Sequence, residues 1–316
     1  MGSLIDHRAL FKKNLLLCFD AFGTLFTPKS PIPQQYGEVA RRHGLYGFTE
    51  DQLETAFRKA FKEESKERPN YGKAVGMAAP EWWGNIIKKT FQPFLKDTPI
   101  PPGLIPDLID RFSHQEGYRI YPDVLAFFEK LRKIKKDSNQ DPSSWPWQRT
   151  TVGIITNSDD RVPPILESLG LRVGQRYQPE LGFREFRPKS DLDIDFVVLS
   201  YDAGVEKPSP SIFEAARIAA QAFEEFEDQK DLMAIYVGDE LKKDVVGATD
   251  AGWEAVLLDR DGKYEGSERG IPTRLQRKSG QSSLEASITV ARDIDIIGPR
   301  LKAIWQDPKQ TFSLEV

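Results

Sequence analysis

Leu15-Leu16-Leu17-Cys18-Phe19-Asp20-Ala21-Phe22-Gly23-Thr24-Leu25 is the stretch on which the reading of this chain turns. Residues 15–19 run without a polar interruption, an Asp follows, and a Gly-Thr turn comes soon after. A continuous apolar run bounded by turn signals is the pattern of a strand buried on both faces. Such strands belong to parallel sheets, and ligands gather outside the carboxyl ends of those strands. Asp20 is therefore expected where an open α/β sheet does its chemistry, although an Asp in this place also serves as a turn cap.

The 316 residues suffice for one large domain or two modest ones, and 39% of them are hydrophobic, enough for a sizeable core. With 44 basic and 48 acidic residues the net charge is -4, which gives no bulk reason to expect a nucleic-acid partner. The single cysteine, Cys18, excludes an intrachain disulfide and suits a reducing compartment. Its place inside the apolar run makes it a small core residue. No stretch approaches the roughly 18 apolar residues of a membrane span. Residues 1–14 lack the apolar segment of a secretory signal, and Asp6 stands where a myristoylation site wants Ser or Thr. The expectation is a soluble, intracellular chain, cytoplasmic in the first place with nucleus and organelle as alternatives, and with no membrane or nucleic-acid partner.

Outward from the first strand, Pro28, Pro31 and Pro33 mark an exit loop, and helical periodicity then holds for about 100 residues. Thr49 with Gln52 is a capping-box signature. Leu53, Ala56, Phe57, Ala60 and Phe61 follow as one apolar stripe, with Lys59, Lys62, Glu63 and Lys66 on a solvated face. Further helices are expected around Ile86, Ile87, Phe91 and Phe94, and around Leu104, Leu108, Ile109 and Phe112. No strong strand signal appears between residues 28 and 118, so this is a helical insert. Pro122 opens another helix, with Val124, Leu125, Phe128 and Leu131 facing inward. Residues 137–148 read as a surface loop whose Trp145 and Trp147 fold back on the body.

Buried strands are expected at 151–155, 196–199, 234–237 and 255–258, with helices between them. Residues 172–194 read as a charged surface excursion, 268–283 as a loop, and Ile288 and residues 294–304 as a closing strand and helix. Strands alternating with helices make an α/β fold with a doubly wound parallel sheet.

Four places near the carboxyl ends of these strands carry polar residues. The first has Asp20 and Thr24, and the second Thr156 and Asn157. Lys207 follows the third strand at a short remove, and the fourth ends Gly238-Asp239, with Asp244 at a helix start. Chemically this is a carboxylate poised as nucleophile, a hydroxyl and an amide to hold an oxyanion, a neutralising lysine, and two further carboxylates suited to a hard divalent cation. The set fits in-line phosphoryl transfer. Taken singly, each piece has a plainer use: a helix cap, a surface charge, a first-turn carboxylate. Together, and in chain order, they are hard to obtain by accident.

This order resembles the haloacid dehalogenase-like (HAD) hydrolase superfamily, which spans phosphatases, phosphomutases, P-type ATPases and 2-haloacid dehalogenases. It is most similar to the group named after haloacid dehalogenase-like hydrolase domain-containing protein 3. The resemblance implies a Rossmann-like core at 1–27 and 119–316, with residues 28–118 as the helical cap domain that chooses a small-molecule, phosphorylated substrate. It implies Asp20 as a covalent nucleophile, Lys207 as its orienting and charge-screening partner, and Thr156, Asn157 and Lys207 as the binders of the transferring group. It implies Mg²⁺ as cofactor, held by Asp20, the Phe22 main-chain carbonyl and Asp239, with Asp244 as a ligand or a partner through water.

One position departs from the pattern. Family phosphatases usually carry a second Asp two residues after the nucleophile as general acid and base, and here that residue is Phe22. General acid–base help is worth about 10² to 10⁴ in rate. Three readings follow: a Mg²⁺-dependent phosphatase without that proton donor, a 2-haloacid dehalogenase, or a non-catalytic binding or regulatory module. Asp20-Ala21-Phe22-Gly23-Thr24 resembles the dehalogenase motif, and halide needs no proton to leave. Dehalogenases need no metal, however, whereas Gly238-Asp239 with Asp244 is the metal-binding pattern, and Phe213 stands roughly where those enzymes carry a Tyr.

Overall fold

The structure, a computed structural model, describes residues 14–137, 145–181, 191–223, 232–263, 272–276 and 285–294. Strand β1 (Asn14–Phe19) runs through the middle of the main sheet, paired in parallel with β4 (Thr150–Thr156) on one side and β7 (Leu232–Gly238) on the other. Successive side chains of a strand point to opposite faces. Leu15, Leu17 and Phe19 accordingly pack into one core with Val124, Phe127 and Phe128 of α5 (Pro122–Lys136). Leu16 and Cys18 pack into a second core with Ile212, Phe213 and Ala216 of α6 (Pro210–Phe223). Both faces of β1 are covered by helices, and this is why its sequence is apolar without alternation.

The full order is β5 (Val173–Arg176), β6 (Ile194–Leu199), β4, β1, β7, β8 (Glu254–Leu258), β10 (Glu285–Ala291) and β9 (Pro272–Gln276). Each neighbouring pair is parallel except the last, in which β9 runs antiparallel to β10. The expected doubly wound α/β sheet is present. Between β1 and β4 a short antiparallel ribbon joins β2 (Phe26–Pro28) to β3 (Tyr118–Ile120). Helices α1 (Ile32–Arg42), α2 (Glu50–Glu67), α3 (Ala79–Phe91) and α4 (Leu104–Arg111) lie between its two strands in the sequence.

The capping box at the start of α2 forms as expected: the Gln52 N–H donates to Thr49 Oγ1 at 3.2 Å, and the Thr49 N–H to Gln52 Oε1 at 2.8 Å. One residue of that helix is not foreseen. Glu64 is fully buried and is matched by Lys89 at 2.7 Å, Arg68 at 2.8 Å and Asn85 at 3.0 Å, so an ion network ties α2 to α3. A buried carboxylate is tolerable only with such partners.

Other differences have local causes. Leu125 is exposed and Phe127 takes the inward place, because 124, 127, 128 and 131 share one helical face and 125 falls beside it. The excursion expected at 172–194 contains edge strand β5, four residues long and only half-buried, too short and polar to show periodicity. Gly174 permits that pairing, since a Cβ there would come within 2.0 Å of the Asp195 carbonyl. The loop expected at 268–283 contains β9. Trp145 and Trp147 fold back as expected and are 4% and 1% exposed. The expectations for residues 1–13, for the loop at 138–144 and for a closing helix at 295–304 lie outside the described residues. Among the described residues no helix is long and apolar enough to cross a membrane.

Candidate active site

Asp20 is the first residue beyond β1, and its N–H still donates to the Val237 carbonyl at 2.8 Å, so the sheet ladder fixes its backbone. The strands on either side end at Thr156 and at Gly238-Asp239, and the three strand ends meet at one edge. Lys207 comes in from the loop ahead of α6. Asp20, Thr156, Asn157, Lys207, Asp239 and Asp244, all singled out in the sequence, thus arrive at the same place.

Two glycines let the acids approach. Gly23 has φ +81°, and a Cβ there would lie 2.4 Å from Asp239 Oδ2. A Cβ on Gly238 would lie 2.3 Å from the Asp244 carboxyl carbon. Asp244 sits in a π-helical turn, Leu241–Val246, with its side chain against Gly238 at the end of β7. One carboxylate oxygen from each of Asp20, Asp239 and Asp244 lies within 4.8 Å of the others.

The Lys207 ammonium uses all three of its hydrogens. It donates to Asp20 Oδ1 at 2.8 Å, to Asp244 Oδ1 at 2.6 Å and to the Tyr236 hydroxyl at 2.8 Å. The Tyr236 hydroxyl passes its own hydrogen to the Ile155 carbonyl at 2.7 Å. Asn157 grips the Lys207 main chain at both of its polar atoms: Asn157 Nδ2 donates to the carbonyl at 3.0 Å, and the Lys207 N–H donates to Asn157 Oδ1 at 2.7 Å. The Thr156 side chain works with Lys207 to oppose the effect of burial on the Asp20 carboxyl. Thr24 Oγ1 donates to Asp239 Oδ1 at 3.1 Å, while the Thr24 carbonyl accepts from Arg260 at 2.8 and 3.1 Å.

Burial pushes the Asp20 carboxyl up from its ordinary range, and the adjacent Lys207 charge opposes that rise only in part. Burial pulls the Lys207 ammonium down, yet the charges of Asp20 and Asp244 more than offset this and hold it protonated. Among the described residues Asp239 has no cation in hydrogen-bond contact. Burial first, then the Asp20 and Asp244 charges, pushes it up to about 7.

Two groups of residues around the site are not legible in the sequence. Tyr236 reads as one more core residue of an apolar strand. The second group joins the helical segment to the end of β4: Tyr71 donates to the Asn157 carbonyl at 2.9 Å, and Trp83 Nε1 to Asp159 Oδ2 at 2.7 Å. Asn70 and Met77 of the same segment bond to Ser200 and Tyr201. Phe22 is 47% exposed, with its ring edge-on to Phe26 and Tyr118. Phe213 is fully buried and packs edge-on behind Tyr236 at 5.2 Å.

Comparison with known proteins agrees with this architecture. An uncharacterized hydrolase of Schizosaccharomyces pombe is 32% identical over 248 residues, 78% of this chain and 92% of its own length. Human haloacid dehalogenase-like hydrolase domain-containing protein 3 is 27% identical over 77% of this chain and 81% of its own. Among solved structures, the HAD-hydrolase YfnB from Bacillus subtilis, bound to magnesium, superposes with a TM-score of 0.52 at 13% identity, covering 92% of this chain and 99% of that one. A 2-haloacid dehalogenase from Pseudomonas syringae gives 0.50 at 18% identity, with 92% and 99% covered. These two likenesses are of fold alone. The family model for haloacid dehalogenase-like hydrolases matches residues 15–252, and the chain belongs to that family.

Proposed function

We propose that this hydrolase is a Mg²⁺-dependent phosphatase of small phosphorylated molecules, acting through a covalent phosphoryl-Asp20. The observation that carries the reading is the charge balance at the strand ends. Three carboxylates converge there against one buried ammonium, Lys207, which leaves two negative charges uncompensated. That surplus suits a divalent cation, and it is part of what pushes Asp239 up to about 7. All the donors are hard oxygens, as Mg²⁺ requires.

Asp20, Asp239 and the Phe22 main-chain carbonyl would hold the ion. Both Asp244 oxygens are engaged, one by Lys207 and one by the Glu240 N–H at 2.8 Å, which favours for Asp244 a place behind the ion. When bound, Mg²⁺ would supply charge neutralisation at the phosphoryl oxygens.

The chain's own residues do the rest in this reading. Lys207 holds one Asp20 oxygen and leaves the other to attack phosphorus. The Thr156 hydroxyl and the Asn157 N–H receive phosphoryl oxygens. With Phe22 in the proton donor's place, the leaving group departs unassisted.

Phe22 also favours a dehalogenase, since halide needs no proton. Against it stand the cation-sized charge surplus and the burial of Phe213 behind Tyr236. A screen of phosphomonoesters and acyl phosphates with Mg²⁺, beside metal-free 2-chloropropionate, tests the assignment. Mg²⁺-dependent phosphate release is expected. Metal-free chloride release would replace the phosphatase by a dehalogenase, and no turnover of any substrate would leave a binding module.

Two further results are expected. The raised Asp239 pKa means that the metal-free protein loses stability as pH climbs through about 7, because the ionised carboxylate is the form the fold disfavours. Mg²⁺ needs that ionised form. Saturating Mg²⁺ should therefore raise the melting temperature by roughly 5–10 °C at pH 8 and far less at pH 5.5. Asp239→Asn should flatten this pH dependence, as read by thermal melts and titration calorimetry. Phe22→Asp should raise kcat/KM for alkyl phosphates by about 10² to 10⁴ by restoring a proton donor. Phe22 is half exposed, so the fold should tolerate the change.

A further inference from the structure

Taking the phosphatase reading as its basis, we infer that the substrate is the phosphate monoester of a phenol, with an aromatic leaving group that carries no charge of its own. The frame around the nucleophile is the first ground. Phe22 stands two residues past Asp20, half exposed, with its ring 6.2 Å from that of Tyr118. Tyr118 lies within the field of the Asp159–Arg161 pair. The Arg161 guanidinium lies over the Trp83 ring at 4.4 Å, and Trp83 is 6.3 Å from Tyr71. Tyr71 donates to the carbonyl of Asn157, the residue after Thr156. Phe22 with Tyr118 thus follows the nucleophile along the chain, Trp83 with Tyr71 stands at the end of β4, and apart from one ion pair these groups are aromatic rings.

Charge is the second ground. Arg161 is the cation among these groups, and its charge is balanced by Asp159, with Nε and Nη2 on the two Asp159 oxygens at 2.8 and 2.9 Å. The pair as a whole carries no net charge with which to draw in a carboxylate or a second phosphate. The rings offer stacking and edge contacts to a planar neutral group instead.

The third ground is chemical and independent of the other two. Phe22 cannot give a proton, so the leaving oxygen must depart as an anion. Phenolates do this far more readily than alkoxides. In the first step the Asp20 carboxylate bonds to phosphorus while the P–O(aryl) bond breaks, and its electron pair leaves with the phenolate. In the second step water bonds to phosphorus and the P–O(Asp20) bond breaks, giving back the carboxylate and dihydrogen phosphate. One proton passes through solvent from that phosphate to the phenolate, so the products are a phenol and hydrogen phosphate.

The test uses the full chain with Mg²⁺ and compares kcat/KM for four compounds. They are phenyl phosphate, a fluorinated alkyl phosphate whose alcohol matches phenol in acidity, acetyl phosphate and a simple alkyl phosphate. Phenyl phosphate should exceed the acidity-matched alkyl ester by at least about tenfold, since one aromatic contact contributes on that scale. Trp83→Leu and Phe22→Leu should each erode that ratio several-fold, and the half-exposed position 22 keeps the test valid if the Trp83 variant does not fold. Equal rates for the phenyl and matched alkyl esters, or a preference for acetyl phosphate, would overturn the aromatic assignment and leave the phosphatase standing. Absence of phosphate release from all four would overturn the phosphatase itself, and the aromatic assignment with it.

Discussion

Asp20→Asn should abolish phosphate release, a loss of about 10⁵-fold or more, on the scale seen when a hydrolase loses its nucleophile. The amide is nearly the same size and can still accept from Lys207, so the geometry around it should persist. What it lacks is the free anionic oxygen. The substitution also removes one of three crowded negative charges, which relieves the repulsion acting on Asp239. The variant should therefore melt no lower than the parent above pH 7. Loss of activity with unchanged or raised stability marks a chemical role for the carboxylate. Loss of both would point to a structural one. Phosphate release and thermal melting on the same preparation separate the two.

Lys207→Met should damage stability as well as rate. Its ammonium is bonded to two buried carboxylates and a buried hydroxyl. Removing one member of a buried ion pair costs about 3–5 kcal/mol, because the partner charge remains without compensation. Here two partners remain. With the lysine gone, burial of the Asp20 carboxyl is opposed by no cation and its pKa rises further, so the deficit should be smallest in acid and should grow as pH rises. Adding Asp244→Asn should recover part of the loss at pH 8, while turnover stays at least about 10³-fold down, as expected when groups act as a unit. Urea unfolding of the single and double variants at pH 5.5 and pH 8 provides the measurement. A double variant no more stable than the single one would mean that the lysine acts mainly by packing.

The sheet was legible because its strands are buried on both faces and so carry unbroken apolar runs, as in Leu15 to Phe19. The site was legible because four polar positions follow such runs, and a parallel sheet leaves them one place to meet. Tyr236 escaped notice because a tyrosine inside Ala234-Ile235-Tyr236-Val237 looks like any large core residue, and its hydroxyl acquires meaning only when Lys207 is brought against it. Tyr71 and Trp83 were hidden for another reason. Their ring partners are helical neighbours, which suits a core stripe, whereas their polar atoms reach Asn157 and Asp159 across a separation that no local pattern encodes. Strands β2, β3 and β5 hold three or four residues each and are too short for periodicity to register.

The position of β1 constrains how the molecule is made. It is the first strand of the described chain to be synthesised and the centre of the finished sheet, and its two neighbours begin only at Thr150 and Leu232. Until the second neighbour leaves the ribosome, an apolar ribbon with an open edge has to be shielded by something other than its native partner. Asp20 and Lys207 are 187 residues apart, and Thr24 and Asp239 are 215 apart, so the acidic cluster closes late as well. Pairing over such distances is slow and leaves the growing chain open to aggregation. Truncations that end before residue 232 should accordingly depend on chaperones or be lost, even though they retain the nucleophile and the whole helical segment.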